Sequence, residues 1–203
     1  PRHVSEVIKA LGLEKANVAP TPYARPDEEK NRGRAQEEEE LSKGEATQYR
    51  AVAARLNYLS LDRPDIRHAV TVACAAMSRP TGRDRTALKR IGRFLKGKPR
   101  AAALYAWQKT PGCVTAYSDS DWAGDKATRR SMSGGCIYHG NHVIKFWAKG
   151  QQVVALSSAE AELYAGTRAA TEAIGAQSIM NDLGTETRVV LGMDSSAALA
   201  LNQ

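Results

Sequence analysis

The chain has 203 residues, a net charge of +7 and an apolar content of 42%, close to the average of soluble proteins and enough to fill a core. Its longest apolar runs are near eight residues, as in V-T-V-A-C-A-A-M ending at Met77. That is far short of the ~20 needed to span a bilayer, and no signal-peptide pattern opens the chain. The three cysteines, Cys74, Cys113 and Cys136, are widely spaced and odd in number. They read as free thiols without zinc spacing, which sets the expectation of an intracellular protein, cytoplasmic or nuclear rather than secreted. The chain opens without a methionine and stops at Asn202-Gln203 inside an incipient helical pattern, so a piece of a longer protein is expected.

Charge is unevenly placed. Residues 1–48 hold 8 basic and 10 acidic groups, residues 49–100 hold 13 and 3, and residues 101–203 hold 8 and 9. The basic character therefore belongs to the middle third. Residues 1–18 read as a short amphipathic piece, V-S-E-V-I-K-A-L-G-L. Residues 19–46 read as a linker with Pro20, Pro22 and Pro26 and the acidic run Glu37 to Glu40.

From Thr47 the pattern turns helical. A first helix near 47–60 carries Val52, Leu56 and Leu59 on one stripe. A second starts at L-D-R-P-D-I, with Asp62 or Arg63 at the cap and Pro64 in the first turn, and runs to about Ser78. A third starts at T-G-R-D, a capping box of Thr81 and Asp84. It carries Leu88, Ile91 and Leu95 on one face and basic residues around the rest. Residues 47–100 are thus a basic segment of three helices.

From Cys113 the apolar period changes to two. Strands are expected at 113–119, 134–140 and 142–148, the last two joined by a Gly-Asn turn in H-G-N-H. A helix follows from Ser158 to Leu183, then Gly184 in the position of a left-handed cap. A strand at 188–193 and a helix from Ser195 complete the order β-β-β-α-β-α over residues 101–203. A long crossover helix between the third and fourth strands predicts a mixed sheet in an α/β domain.

Three carboxylates fall at legible places on these elements. Asp119 and Asp194 close apolar runs, V-T-A-Y-S-D and V-V-L-G-M-D, and Glu162 lies in the first turns of the crossover helix. Hydrolysis of a phosphodiester needs an activated hydroxide and neutralisation of developing charge, which two Mg²⁺ ions supply from oxygen ligands. Ser157-x-x-Glu160 fits a capping box and gives Glu160 a structural task. Glu162, about 200° further round the helix, is free for another. Asp121 and Asp125 suit a turn, with side chains bonded to nearby backbone. Asp194, before S-S-A-A-L, equally suits a helix N-cap. Arg83, Arg85, Lys89, Arg90, Arg93, Lys96, Lys98 and Arg100 form a basic run that could contact phosphates or simply be a solvated helix face. Trp107, Trp122 and Trp147 are assigned to the core.

Y-S-D-S-D-W-A-G-D at 117–125, R-R-S-M-S-G-G at 129–135 and A-L-S-S-A-E-A-E-L-Y-A at 155–165 resemble the ribonuclease H region of copia-type retrotransposon Pol polyproteins. Y-R-A-V-A-A-R-L-N-Y-L at 49–59, R-P-D-I at 63–66 and A-L-K-R-I-G-R-F-L-K-G at 87–97 resemble the segment that connects it to the reverse transcriptase, and L-G-L-E-K-A-N-V-A-P-T-P at 11–22 resembles the tail of that polymerase. The resemblance implies a ribonuclease H-like fold that cuts the RNA strand of an RNA–DNA hybrid with two Mg²⁺ ions, Mn²⁺ being a possible substitute. It implies Asp119, Glu162 and Asp194 as metal ligands. It implies nucleic-acid contacts from the basic run and from Arg129 and Arg130, with the remainder of the polyprotein as partner. Ser195 stands where the family usually has asparagine. The family's fourth acidic ligand and last strand would lie beyond residue 203. A truncated or inactive nucleic-acid-binding remnant is the competing expectation.

Overall fold

In a computed structural model, residues 2–24, 39–125 and 128–193 are described. They form two compact units, residues 1–103 and 104–203. The first is helical: α1 (Arg2–Ala10), α2 (Lys43–Leu59), α3 (Pro64–Ala75) and α4 (Gly82–Gly97). Val4 and Val7 of α1 join Tyr49, Val52 and Leu56 of α2, Ile66 and Val70 of α3, and Leu88, Ile91 and Leu95 of α4 in one buried cluster. The apolar stripe assigned to the third basic helix is therefore the side that builds this core.

Local chemistry explains the helix boundaries. Thr81 and Asp84 make the expected reciprocal capping box on α4, and Pro64 sits at the start of α3 behind Arg63. The first of the three expected helices begins earlier than its apolar pattern suggested, because Ser42 and Glu45 form a second capping box. α3 ends sooner than expected, at Ala75 rather than near Ser78.

The second unit is a four-stranded mixed sheet with one helix packed on it. Its elements are β1 (Cys113–Asp121), β2 (Met132–His139), β3 (His142–Gly150), α5 (Ser158–Asp182) and β4 (Arg188–Met193). The strand order is β3-β2-β1-β4. β1–β2 and β2–β3 are antiparallel, and β4 returns parallel to β1 after the α5 crossover. This is the mixed sheet expected of a ribonuclease H-like domain. Gly140 and Gly184 have positive φ, 61° and 77°, at the β2–β3 turn and just past α5, where a side chain would be strained.

α5 sits close to the sheet because its buried stripe is nearly all small: Ala161, Ala165, Gly166, Ala169 and Ala173. Val114 and Ala116 of β1, Ile137 of β2 and Trp147 of β3 face Ala169 and Ala173. Of the three tryptophans only Trp147 is core. Trp107 is 92% exposed and Trp122 47%, correcting their assignment, since Trp107 lies in the extended lead-in to β1 and Trp122 just beyond its end. Asp194 and the helix expected from Ser195 lie outside the described residues.

Candidate metal centre and basic surfaces

β1 alternates as a half-buried strand should. Val114, Ala116 and Ser118 are buried, whereas Tyr117, Asp119 and Asp121 are exposed. The strand runs two residues past Asp119, so that carboxylate sits on regular backbone rather than at the strand's last residue. On α5, Glu162 is the one charged member of the buried stripe among the described residues, and it is only 9% exposed.

Asp119 and Glu162 converge on Ser120. The Ser120 N–H donates to Asp119 Oδ1 at 2.9 Å and to Glu162 Oε1 at 3.1 Å. The Ser120 hydroxyl donates to the same Glu162 oxygen at 2.7 Å. Glu162 Oε1 is thereby satisfied, but Glu162 Oε2 is buried without a hydrogen-bond partner among the described residues. An unpaired buried carboxylate oxygen is costly. A hard divalent cation, which takes oxygen ligands, would relieve that cost. The pair Asp119 and Glu162 fits such an ion in donor type and in this orphaned atom. Among the described residues, no group of three or more histidine, cysteine or acidic side chains is placed to hold a metal.

The neighbouring acids have other tasks. Glu160 accepts from the Leu156 N–H at 2.7 Å and from the Tyr164 hydroxyl at 3.2 Å, and this raises the Tyr164 pKa above its ordinary value. Ser157 caps the Glu160 N–H at 3.1 Å. The expected capping box is therefore half made, with the glutamate reaching one residue further back than Ser157. Asp125 accepts from the Thr128 N–H at 3.3 Å, as a turn aspartate does. Asp121 packs its carboxylate against Gly124.

The basic run on α4 divides into two kinds of side chain. Arg85 pairs with Glu45 at 2.5 Å. Arg90 donates to the Thr21 carbonyl at 3.1 Å, Arg93 to the Asn17 carbonyl at 2.7 Å, and Lys96 to the carbonyls of Glu14 and Ala16, each at 2.7 Å. Arg90, Arg93 and Lys96 strap segment 14–21 onto α4, whereas Arg85 ties α4 to α2. Lys98 lies over the Phe94 ring at 5.3 Å. For Arg83, Lys89 and Arg100 the structure brings no protein partner to the side chain among the described residues.

Arg129 and Arg130 lie elsewhere, in the connection between β1 and β2, and are exposed. That connection leaves β1 two residues after Asp119, so both arginines belong to the sheet end that carries the two carboxylates. Arg129 has φ 56° and Ala123 in the same loop φ 51°. A non-glycine residue in this region is strained, and Ala123 is held by its N–H bond to Ser131 Oγ at 3.1 Å.

One residue of the site, Ser120, carried no signal from pattern or charge, being a small polar residue between two acids.

Comparisons with known proteins bear on this arrangement. The chain is 41% identical over 124 residues to an uncharacterized mitochondrial protein of Arabidopsis thaliana, covering 61% of this chain and 51% of that one. It is 38% identical over 138 residues to the retrovirus-related Pol polyprotein from transposon RE1 of the same plant, covering 68% of this chain and 9% of the polyprotein. It is 36% identical over 124 residues to the secreted RxLR effector protein 161 of Plasmopara viticola, covering 61% of this chain and 87% of that protein. The chain thus spans about half the length of the first of these relatives and under a tenth of the second. No family model matches the chain, and no solved structure matches it.

Proposed function

The chain belongs to the copia-type retrotransposon Pol polyproteins, and from that premise we propose that its second unit is the ribonuclease H portion, hydrolysing the RNA strand of RNA–DNA hybrids. The observation that carries this reading is the joint hold of Asp119 and Glu162 on Ser120, with Glu162 Oε2 buried and unpartnered.

Asp119, Glu162 and, outside the described residues, Asp194 would hold two Mg²⁺ ions, with Mn²⁺ a substitute. Bound there, the ions supply an activated hydroxide and neutralise charge building on the phosphate. The chain's own residues do the rest. Ser120 fixes one oxygen of Glu162 and so leaves the other to the site. Asp119 stays at the surface, where a phosphodiester can reach it. Arg129 and Arg130, at the same sheet end, contact the hybrid backbone. Arg83, Lys89, Lys98 and Arg100 offer charge on the helical unit, and Arg85, Arg90, Arg93 and Lys96 keep theirs while bound to carbonyl or carboxylate. Such contacts follow shape and phosphate rather than sequence. The partners of the chain are then the hybrid and the remaining polyprotein. Among the described residues no helix is long and apolar enough to cross a membrane.

A nucleic-acid-binding remnant without turnover is the second reading. It is favoured by Ser120, whose N–H and hydroxyl satisfy Glu162 Oε1 without any metal. One assay separates the readings: a labelled RNA–DNA hybrid with the chain in Mg²⁺ and in EDTA, beside Asp119→Asn. The enzyme reading expects cleavage that needs metal and falls about 10³-fold or more in the variant. Hybrid binding with no cleavage by either protein establishes the remnant.

A further inference from the structure

Asp119 and Glu162 stand on different elements, a strand and a helix, and something must hold the two in register. Gln151 is placed to do it. It follows β3, is 9% exposed, and donates its backbone N–H to the Ser131 carbonyl at 2.8 Å. Its side-chain Nε2 donates to Ser133 Oγ in β2 at 3.0 Å and to the Ala161 carbonyl in α5 at 2.9 Å. Ala161 is the residue before Glu162. Ser133 is the cross-strand partner of Ser120, and Ser120 gives both its N–H and its hydroxyl to Glu162.

These contacts close a ring. It runs from Gln151 to Ala161, along the backbone to Glu162, across to Ser120, over the β1–β2 ladder to Ser133, and back to Gln151. The first turn of α5 is tied to the two strands at the level of both carboxylates. The amide's orientation is determined, because the reverse placement would set Gln151 Oε1 against the Ala161 carbonyl oxygen, acceptor to acceptor. Gln151 Oε1 is itself buried without a partner among the described residues, a cost that an apolar residue of similar size would avoid.

We infer that Gln151 is a positioning residue that sets the placement of Glu162 relative to Asp119 through Ser133 and the Ala161 carbonyl. Its side chain bonds Ser133 and the Ala161 carbonyl, not the carboxylate oxygens of Asp119 or Glu162. The inference rests on the proposed role of the two carboxylates, but its geometric half can be tested without it.

The experiment uses the 203-residue chain, Gln151→Met, which keeps the length and removes the donor, and the milder Ser133→Ala. Amide hydrogen exchange is followed by NMR, and cleavage of the hybrid is followed in Mg²⁺. In Gln151→Met, the Ser120 amide should lose about tenfold or more of its protection, while the amides of Ala116 and Ala173 keep theirs. The kcat should fall about 100-fold with KM for the hybrid nearly unchanged, as expected of a misplaced rather than a lost group. Ser133→Ala should move both readouts the same way and less far. Unchanged Ser120 protection in Gln151→Met overturns the inference. So does a uniform loss of protection across the sheet with Ser133→Ala behaving as wild type, since Gln151 would then serve general stability. If the wild-type chain cuts no hybrid, the proposed function fails, and the exchange comparison still decides the geometric claim.

Discussion

The helical unit and the sheet unit treat their polar groups in opposite ways. Among the described residues of 1–103, charge is plentiful and many cations are answered: Arg55 by Glu6, Arg79 by Glu40, Arg85 by Glu45, and Arg50, Arg90, Arg93 and Lys96 by main-chain carbonyls. Even the buried Arg63 is matched by both oxygens of Asp65 and by the Lys98 carbonyl. In residues 104–193, charge is sparser but buried polar atoms are left over. Ser118 Oγ, Trp147 Nε1, Gln151 Oε1, Glu162 Oε2, Arg168 Nε and Thr187 Oγ1 have no partner among the described residues, against Arg67 Nε alone in the first unit. Unanswered buried polar groups mark places where stability has been given up. Under the proposed function, Arg85, Arg90, Arg93 and Lys96 serve as scaffold in the first unit, and the carboxylates of the second would carry the chemistry.

That contrast can be attacked from its strongest side first. Ile66 is fully buried in the helical core, so Ile66→Ala should destabilise the chain by about 2–5 kcal/mol in urea unfolding. The metal response of the second unit should survive it, if the two units unfold independently. Arg93→Ala removes one charge-assisted bond to the Asn17 carbonyl and should cost about 1–2 kcal/mol. Its loss of stability should exceed its loss of hybrid affinity. A variant that binds hybrid much more weakly at unchanged stability would reassign Arg93 to phosphate contact.

The smallest effect concerns pH. Lys145 and Arg168 hold Glu172 at 2.5 and 3.0 Å, and the Lys145 hydrogen bond, reinforced by the Coulombic pull of both cations, depresses the Glu172 pKa below its ordinary value. A depressed folded-state pKa gives stability that is present above the ordinary carboxylate range and lost as pH falls through the folded value. Glu172→Gln should therefore lower Tm slightly near neutrality, and the gap to the wild-type chain should close as pH falls below about 4.5, leaving a flatter acid limb in Tm against pH.

Much of the fold was legible because local chemistry and periodicity agreed. Thr81 with Asp84, Pro64 at a first turn, the Gly140-Asn141 hairpin and Gly184 after a long helix are short-range signals that tertiary structure had no reason to override. The same capping signature at Ser42 and Glu45 was hidden by the acidic run beside it. Asp119 was read as closing its strand because the apolar run stops there, although the ladder continues to Asp121 against Met132. The exposure of Trp107 and Trp122 lay beyond pattern reading, since large aromatics default to the core. The strapping of α4 was equally hidden, because its acceptors are carbonyls some 69 to 82 residues away in sequence. Gln151 gave no local sign, as its partners meet only once strand, helix and ladder are assembled.

The claim at the centre is that Asp119 and Glu162 hold a divalent cation beside Ser120. Titration of the ¹⁵N-labelled chain with Mn²⁺ tests it most directly, through paramagnetic broadening of individual amides. The Ser120 amide and its neighbours should broaden first in the wild-type chain, Mg²⁺ should restore them by competition, and Asp119→Asn or Glu162→Gln should abolish the effect. A Ser120 amide that stays sharp while broadening gathers elsewhere in the sheet unit would contradict the claim.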